Sequence, residues 1–301
     1  MTITIGIDPH KASHTAVAID NTECVLDELR VRACSKQTDQ LQSWAAPFPD
    51  RVWAIESARG LGYLLAQQLV AAGETVIDVP AVMSTRTRLL GSGRAQKNDP
   101  NDARSVAIAA LRNDQLCKVG LDDHARVLKL LAKRHRDLGR LKSKAACRLH
   151  ALLMELEPGG MAKEMTVTRA NGILDRIEPA SQMVEHRLDV ARETLADIGH
   201  YETQMKASMK RLRTAVAASG TSLTEIRGVG VVVAAMIIGH VGDVARFKSP
   251  AHFASYNGTA PIEASSGENK RHRLNKRGNR QLNWAIHVAA ITQLRQPCPG
   301  R

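Results

Sequence analysis

The chain opens with short apolar runs of strand length and then settles into long stretches of helical period. Ile3 to Asp8 (ITIGID) reads as a strand, and apolar–polar alternation recurs from His14 to Asp20. A third candidate strand runs from Val25 to Val31. A buried one from Val52 to Ile55 ends in Glu56, and another from Val76 to Val79 is stopped by Pro80. Between them Leu41, Trp44 and Ala45, and then Leu61, Leu64, Leu65, Gln68 and Leu69, recur at helical spacing. Three strands in succession, then helix–strand–helix–strand–helix, predict a mixed α/β sheet with an antiparallel flap and parallel crossover units.

The segment LLGSGRAQKNDPNDA changes character. Gly91, Ser92 and Gly93 are loop formers, and Asn98-Asp99-Pro100 signals a helix start that places Asp99 and Asp102 three residues apart. Asp99 has a plain alternative role as the helix cap. Further on, Val127, Leu131, Leu138, Leu141, Ala145, Leu149, Leu152 and Leu156 form a heptad-like stripe that Pro158-Gly159-Gly160 ends. A second long helix is expected from about Ser181 to Ala218, and the two read as an antiparallel arm or an oligomerisation surface. The run LTEIRGVGVVVAAMIIG resembles a helix-hairpin-helix turning at Gly228 and Gly230, whose N–H groups suit a phosphate; a plain helix turn fits the same residues. These divisions give three regions: 1–120, 121–220 and 221–301.

Composition narrows the class. Aromatic residues make up only 3% of the chain, so Leu, Val, Ile, Ala and Met must build the core. No apolar run approaches the length of a membrane span, and MTITIGID lacks the features of a secretory leader. Five scattered cysteines offer neither zinc spacing nor a disulfide framework, which fits a reducing cytoplasm. Residues 1–120 hold 13 Lys+Arg against 13 Asp+Glu, whereas 121–301 hold 29 against 17, so the whole +12 lies in the back. A basic back half suits a polyanionic partner, or simple solubility. Six Lys+Arg fall within 268–280.

Four acids stand where chemistry is expected. Asp8 ends the first strand, Glu56 ends a central one, and Asp99 and Asp102 open a helix. Mg²⁺ prefers oxygen ligands gathered from separate elements, and strand ends at one sheet edge supply them. Such a cluster repels itself unless a cation neutralises it. Taken singly, each is an ordinary surface or capping residue; only the set carries weight.

GIDPHKASHTAVAID, IESARG around Glu56 and KNDPNDA around Asp99 and Asp102 resemble the RuvC-like domain of the DEDD transposases of small insertion sequences. FKSPAHFASYNGTAPIEASSG followed by LNKRGNRQLNWAIHVAA resembles the carboxy-terminal transposase domain of the same family. The resemblance implies an RNase H/RuvC-like mixed sheet with flanking helices, then a long-helix arm and a mostly helical carboxy-terminal domain. It further implies that Asp8, Glu56, Asp99 and Asp102 hold Mg²⁺ and that Ser266, next to Ser265, is the nucleophile of a phosphoserine intermediate in strand exchange. The partners it implies are donor and target DNA, a structured guide RNA from the element, and further copies of the chain as dimers pairing into a tetramer, with no membrane. Arg271, Arg273, Lys276, Arg277 and Arg280 would contact nucleic acid, together with Gly228, Gly230 and, on the first long helix, Arg134, Arg136, Arg140, Lys142 and Lys144. Two other readings compete: a metal-dependent, structure-selective nuclease in which water attacks, and a non-catalytic nucleic-acid-binding remnant. Relatives commonly continue past the last helix, whereas this chain stops at TQLRQPCPGR, so a shortened tail is expected.

Overall fold

The computed structural model describes residues 2–92, 98–160, 166–267 and 269–295. The chain forms two compact units, 1–122 and 123–301.

In the first unit β1 (Ile3–Pro9), β2 (Ser13–Ile19) and β3 (Val25–Arg32) are followed by α1 (Gln37–Trp44), β4 (Arg51–Glu56), α2 (Tyr63–Ala71), β5 (Val76–Val79), α3 (Ala81–Ser92) and α4 (Asp99–Leu111). The sheet order is β3-β2-β1-β4-β5. β1, β2 and β3 pair antiparallel, whereas β1–β4 and β4–β5 pair parallel. That is the expected mixed sheet with an antiparallel flap and parallel crossovers, and the five strands expected from the sequence are all present within a residue or two of their limits. Helix α3 continues through Gly91 and Ser92, which had been read as loop; Gly93 lies outside the described residues.

The two faces of the sheet are built differently. Ile5 and Ile7 of β1 and Trp53 and Ile55 of β4 point to the face where Leu41, Leu65 and Leu69 of α1 and α2 pack. By strand alternation Thr4, Gly6 and Asp8 point the other way, as do Ala54 and Glu56. This second face is covered by α4 through small side chains: Ala103 and Ala107 against Val17 and Ile19, and Val106 and Ala110 against Ala54 and Val79. Small residues let the helix backbone approach closely. A β-carbon at Gly6 would stand 2.1 Å from the Ala103 carbonyl oxygen and 2.6 Å from the Ala107 nitrogen.

The second unit holds α5 (His124–Leu156), α6 (Val167–Leu174), α7 (Gln182–Ala218), α8 (Val231–Val241), α9 (Pro250–Asn257), the short strands β6 (Ile262–Glu263) and β7 (His272–Arg273), and α10 (Arg280–Leu294). α5 and α7 run antiparallel, for Arg134 reaches Gln204, Lys142 pairs with Glu202 and Arg187 pairs with Glu155. The Ser181 hydroxyl caps α7 by accepting the Val184 N–H at 3.3 Å. One core joins Leu149 and Leu153 to Leu174, Leu188 and Leu195; another joins Leu128 and Ala132 to Leu212, Met236 and Ala285. The buried seam of α5 therefore runs through Leu128, Ala132, His135 and Leu138, not through Val127 and Leu141, which are exposed. Leu138, Ala145 and Leu149 of the expected stripe are buried, whereas His135 is a polar residue that an apolar pattern passes over. Helix α6 lies within the connection between the two long helices. Trp284 is 39% exposed, and the Arg136 guanidinium lies over its ring at 4.2 Å. No helix among the described residues is long and apolar enough to cross a membrane.

Gly6→Ala is expected to destabilise the protein by about 3 kcal/mol or more, because backbone atoms of α4 cannot rotate away. Gly199→Ala in α7, with nothing within 4 Å of its added carbon, should be neutral or stabilising by up to ~1 kcal/mol. Denaturant unfolding of the two variants checks the contrast.

Candidate metal centre

Local geometry brings the four acids to one place. The last parallel pair of β1 with β4 is Ile7 with Ile55, so Asp8 and Glu56 follow at the carboxyl ends of adjacent strands, both on the α4 face. The chain turns sharply after Glu56: Ser57 adopts φ +50°, its N–H donates to Val79, and its carbonyl accepts the N–H groups of Gly60 and Gly62. A non-glycine residue in that conformation is strained, and the hydrogen bonds on both sides hold it. From the helix side, Asn98 caps α4 by accepting the Asn101 N–H at 2.9 Å. Asp99 is thereby released from the capping role open to it and sits in the first turn with Asp102.

The carboxylates have distinct neighbours. Asp8, His10, Glu56 and Asp102 line a cavity of about 180 Å³ with Ser84, Thr85 and Arg88. The Ser84 hydroxyl donates to Glu56 Oε1 at 3.1 Å, and Arg88 pairs with Asp102. His10 Nδ1 lies 3.6 Å from Asp8 Oδ2, and Arg30 lies 3.5 Å from Asp99. One ligand atom from each of Asp8, His10 and Asp99 falls within 4.8 Å of the others, a spacing that can hold a metal ion. Asp99 also faces a neighbouring groove with Arg30 and Thr15.

Electrostatics supports a cation here. The Asp8 carboxyl, 12% exposed, is pushed up from the usual 3.8 to about 6. Burial is the main cause; His10 opposes it, and the carboxylates of Glu56, Asp102 and Asp99 add to it. Among the described residues the four carboxylates are answered by two arginines, Arg30 and Arg88, and by His10. Carboxylates with one imidazole suit a divalent metal. His10, Arg88, Arg30 and Ser84 were missed in the sequence; His10 alone carried a signal, two residues after Asp8 in GIDPHK.

The remaining expected residues belong to the second unit. Ser266 forms a bridge with Asn269 in the hairpin between β6 and β7, beside Gly267 at φ +60°. The Ser265 hydroxyl accepts the Arg271 N–H at 3.3 Å. Arg271, Arg273, Lys276, Arg277 and Arg280 are all exposed. Gly230 caps α8, while Gly228, at φ +83°, packs on α10, where a β-carbon would meet the Ala289 carbonyl at 2.6 Å. Only a one-turn helix, Leu223–Glu225, precedes that hairpin, so its first arm is shorter than the helix-hairpin-helix expectation.

An acid whose folded value is raised holds its proton more tightly in the fold than in the unfolded chain. Its stabilising contribution is full below about pH 3.8 and is lost as pH rises through about 6. In chelator, Asp8→Asn should therefore raise stability relative to the parent above pH 6, by up to roughly 3 kcal/mol, and leave it little changed at pH 3.5. Divalent metal should raise the melting temperature of the parent and not of the variant. Equal pH profiles for the two proteins would contradict the assignment.

Residues 5–158, just over half of the chain, match the model of the DEDD transposases of IS110 type, described as a transposase. Residues 220–299 match the model described as the transposase IS116/IS110/IS902 family. An insertion element IS116 uncharacterized 44.8 kDa protein of Streptomyces clavuligerus is 24% identical over 346 aligned positions, covering 99% of this chain and 86% of the relative. The IS110 uncharacterized 43.6 kDa protein of Streptomyces coelicolor is 44% identical over 70 residues, 23% of this chain and 17% of its own. A solved structure of T. thermophilus RuvC in complex with a Holliday junction substrate is 16% identical, with a TM-score of 0.32, over 40% of this chain and 100% of that one. The chain belongs to the IS110/IS116 family of DEDD transposases.

Proposed function

We propose that this protein cuts DNA strands in a divalent-metal-dependent reaction, with water as the nucleophile, as the catalytic activity of a transposase. The observation that carries the reading is the meeting of Asp8 and Glu56, on adjacent strand ends, with Asp102 in one cavity, and of Asp8 with Asp99 and His10 in one metal-competent cluster. Asp8, Glu56, Asp99 and Asp102, with His10, would hold the ion, and Mg²⁺ is the proposed metal. When bound, it would neutralise charge on the phosphate oxygens as the P–O bond breaks. The protein's own part is positional. Ser84 fixes the Glu56 carboxylate by donating to it, Arg88 holds Asp102, and the small face of α4 keeps the acid-bearing elements close.

A second reading has one specific support. The Ser266 hydroxyl bonds none of the described residues, whereas the Ser265 hydroxyl is engaged by Arg271. In this reading Ser266 Oγ forms a bond to the phosphorus of the DNA backbone and gives its proton to a base. The bond to the deoxyribose oxygen breaks, and that oxygen takes a proton. The product is a phosphoserine and a free sugar hydroxyl, which conserves the phosphoryl link for rejoining, with a structured RNA from the element supplying sequence choice and dimers pairing into a tetramer.

Incubation with branched DNA, with and without the element's flanking RNA, separates the two. Asp8→Asn should lower Mg²⁺-dependent cutting by roughly 100-fold or more; undiminished cutting, or cutting in chelator, would sink the proposal. A detergent-stable protein–DNA adduct, lost together with cutting in Ser266→Ala, establishes the serine route. Cutting retained by that variant leaves water as the nucleophile.

A further inference from the structure

The +12 charge invites the long helices as nucleic-acid contacts, but most of the cations expected on α5 are already committed within the unit. Arg134 donates to Gln204 at 2.7 Å, Lys142 pairs with Glu202 at 2.8 Å, and Arg140 pairs with Asp137 at 3.4 Å. Arg136 stacks on Trp284 and donates to Gln281. Further cations without an ion-pair partner among the described residues lie on the other helix of the arm.

Charge along α7 is strongly polarised. Its five acids, Glu185, Asp189, Glu193, Asp197 and Glu202, all precede Thr203; from there to Ala218 the helix holds Lys206, Lys210, Arg211 and Arg213 and no acid. Lys206 and Lys210 are four residues apart and Lys210 and Arg213 three, spacings at which like charges repel. Lys206, Lys210 and Arg213 make no ion pair with a described residue. The helix macrodipole does not account for them, since it acts within the last turn and Lys206 lies three turns earlier. On α5 the only acids are Asp137, held by Arg140, and Glu155, held by Arg187.

These three cations line a cavity of about 540 Å³ together with His135, Met205 and Met209. That volume lies in the range of ligand sites. His135 is 9% exposed, and its buried Nδ1 has no hydrogen-bond partner among the described residues. Such a group is a cost the fold carries unless something meets it. The two methionines give a soft apolar wall beside the cations. Anionic groups spaced along sugars and bases, whose ring faces are apolar, are what this combination of walls fits.

We propose that this groove binds a phosphodiester segment of a nucleic-acid strand, with Lys206, Lys210 and Arg213 on the phosphates and the His135–Met205–Met209 wall against sugar or base. It rests on the reading of the chain as an enzyme of nucleic acid, but not on cleavage. Sequence selectivity is not expected, because backbone phosphates carry none.

The test uses the full chain carrying Asp8→Asn, in chelator, so that no strand is cut and failure of the cleavage reading leaves the result intact. Labelled single-stranded DNA and RNA of one sequence are titrated by fluorescence anisotropy at several salt concentrations. Lys206→Gln, Lys210→Gln and Arg213→Gln together should weaken binding by about tenfold or more and flatten the slope of log affinity on log salt by about 2. Loss with both oligonucleotides supports the groove as a general backbone site, and loss with one supports it and names the strand. Affinity within about twofold of the parent for both overturns it, as does an Arg211→Gln variant that loses as much as Arg213→Gln, since Arg211 lies outside the cavity. Should the triple variant fail to fold, each single change should flatten the slope by about 0.7.

Discussion

At Gly6 the carbonyl of Ala103 and the nitrogen of Ala107 occupy the space a side chain would need. This close approach of a helix backbone to the middle of a central strand is the constraint from which the site follows. It requires α4 to face the sheet with alanines, and the helix does so with Ala103, Ala107 and Ala110. It also sets the height of the helix start over the ends of β1 and β4, where strand alternation has already turned Asp8 and Glu56 toward it. A larger residue at any of these contacts would lift the helix and separate carboxylates that lie far apart in the chain. Packing of small apolar side chains thus determines an electrostatic arrangement, and the acids themselves work against it.

That opposition is visible in the charges around the acids. Arg88 on Asp102 and Arg30 beside Asp99 remove part of the repulsion, and Ser84 donates to Glu56. Among the described residues Asp8 receives only His10, and its carboxyl is the one driven toward the neutral form. The centre is therefore balanced at its rim and uncompensated at its middle. A rim made neutral by arginines can stay folded without an ion, while the middle still favours one. The front half of the chain has zero net charge, and some of its acids and bases pair in the fold, as Arg51 with Glu74 and Arg112 with Glu23 also do.

What could be read from the sequence depended on whether the signal was periodic or spatial. Strand alternation and the helix start at Asn98 gave the sheet, the ends of its strands and the four acids, because each is written in neighbouring residues. Helix α3 was cut short because glycine and serine at 91 and 92 look like a loop, although a helix tolerates both. The α5 seam agrees with the expected stripe at Leu138, Ala145 and Leu149 and departs from it toward the helix start, where the polar His135 takes a buried position. Arg30, Ser84 and Arg88 carry no local mark at all. Their roles exist only because β3 and α3 end beside α4, and a partner fixed by tertiary approach leaves no pattern in a single sequence.

The same limit explains why basic composition misdirects a search for contacts. A helix rich in arginine, such as α5, draws attention first, yet the arm is held partly by its cations: Arg136 stacks on Trp284 and bridges to Gln281, Arg134 bridges to Gln204, and Lys142 pairs with Glu202 of the facing helix. A cation that holds two elements together has already exchanged much of its hydration for protein partners and offers less to a phosphate. The informative quantity is charge left without a partner among the described residues, and one concentration of it lies along the acid-free end of α7 beside a buried histidine nitrogen that no described residue meets. A site for an anion is recognised by that imbalance between charge supplied and charge answered, and the density of basic residues along the chain is a poor measure of it.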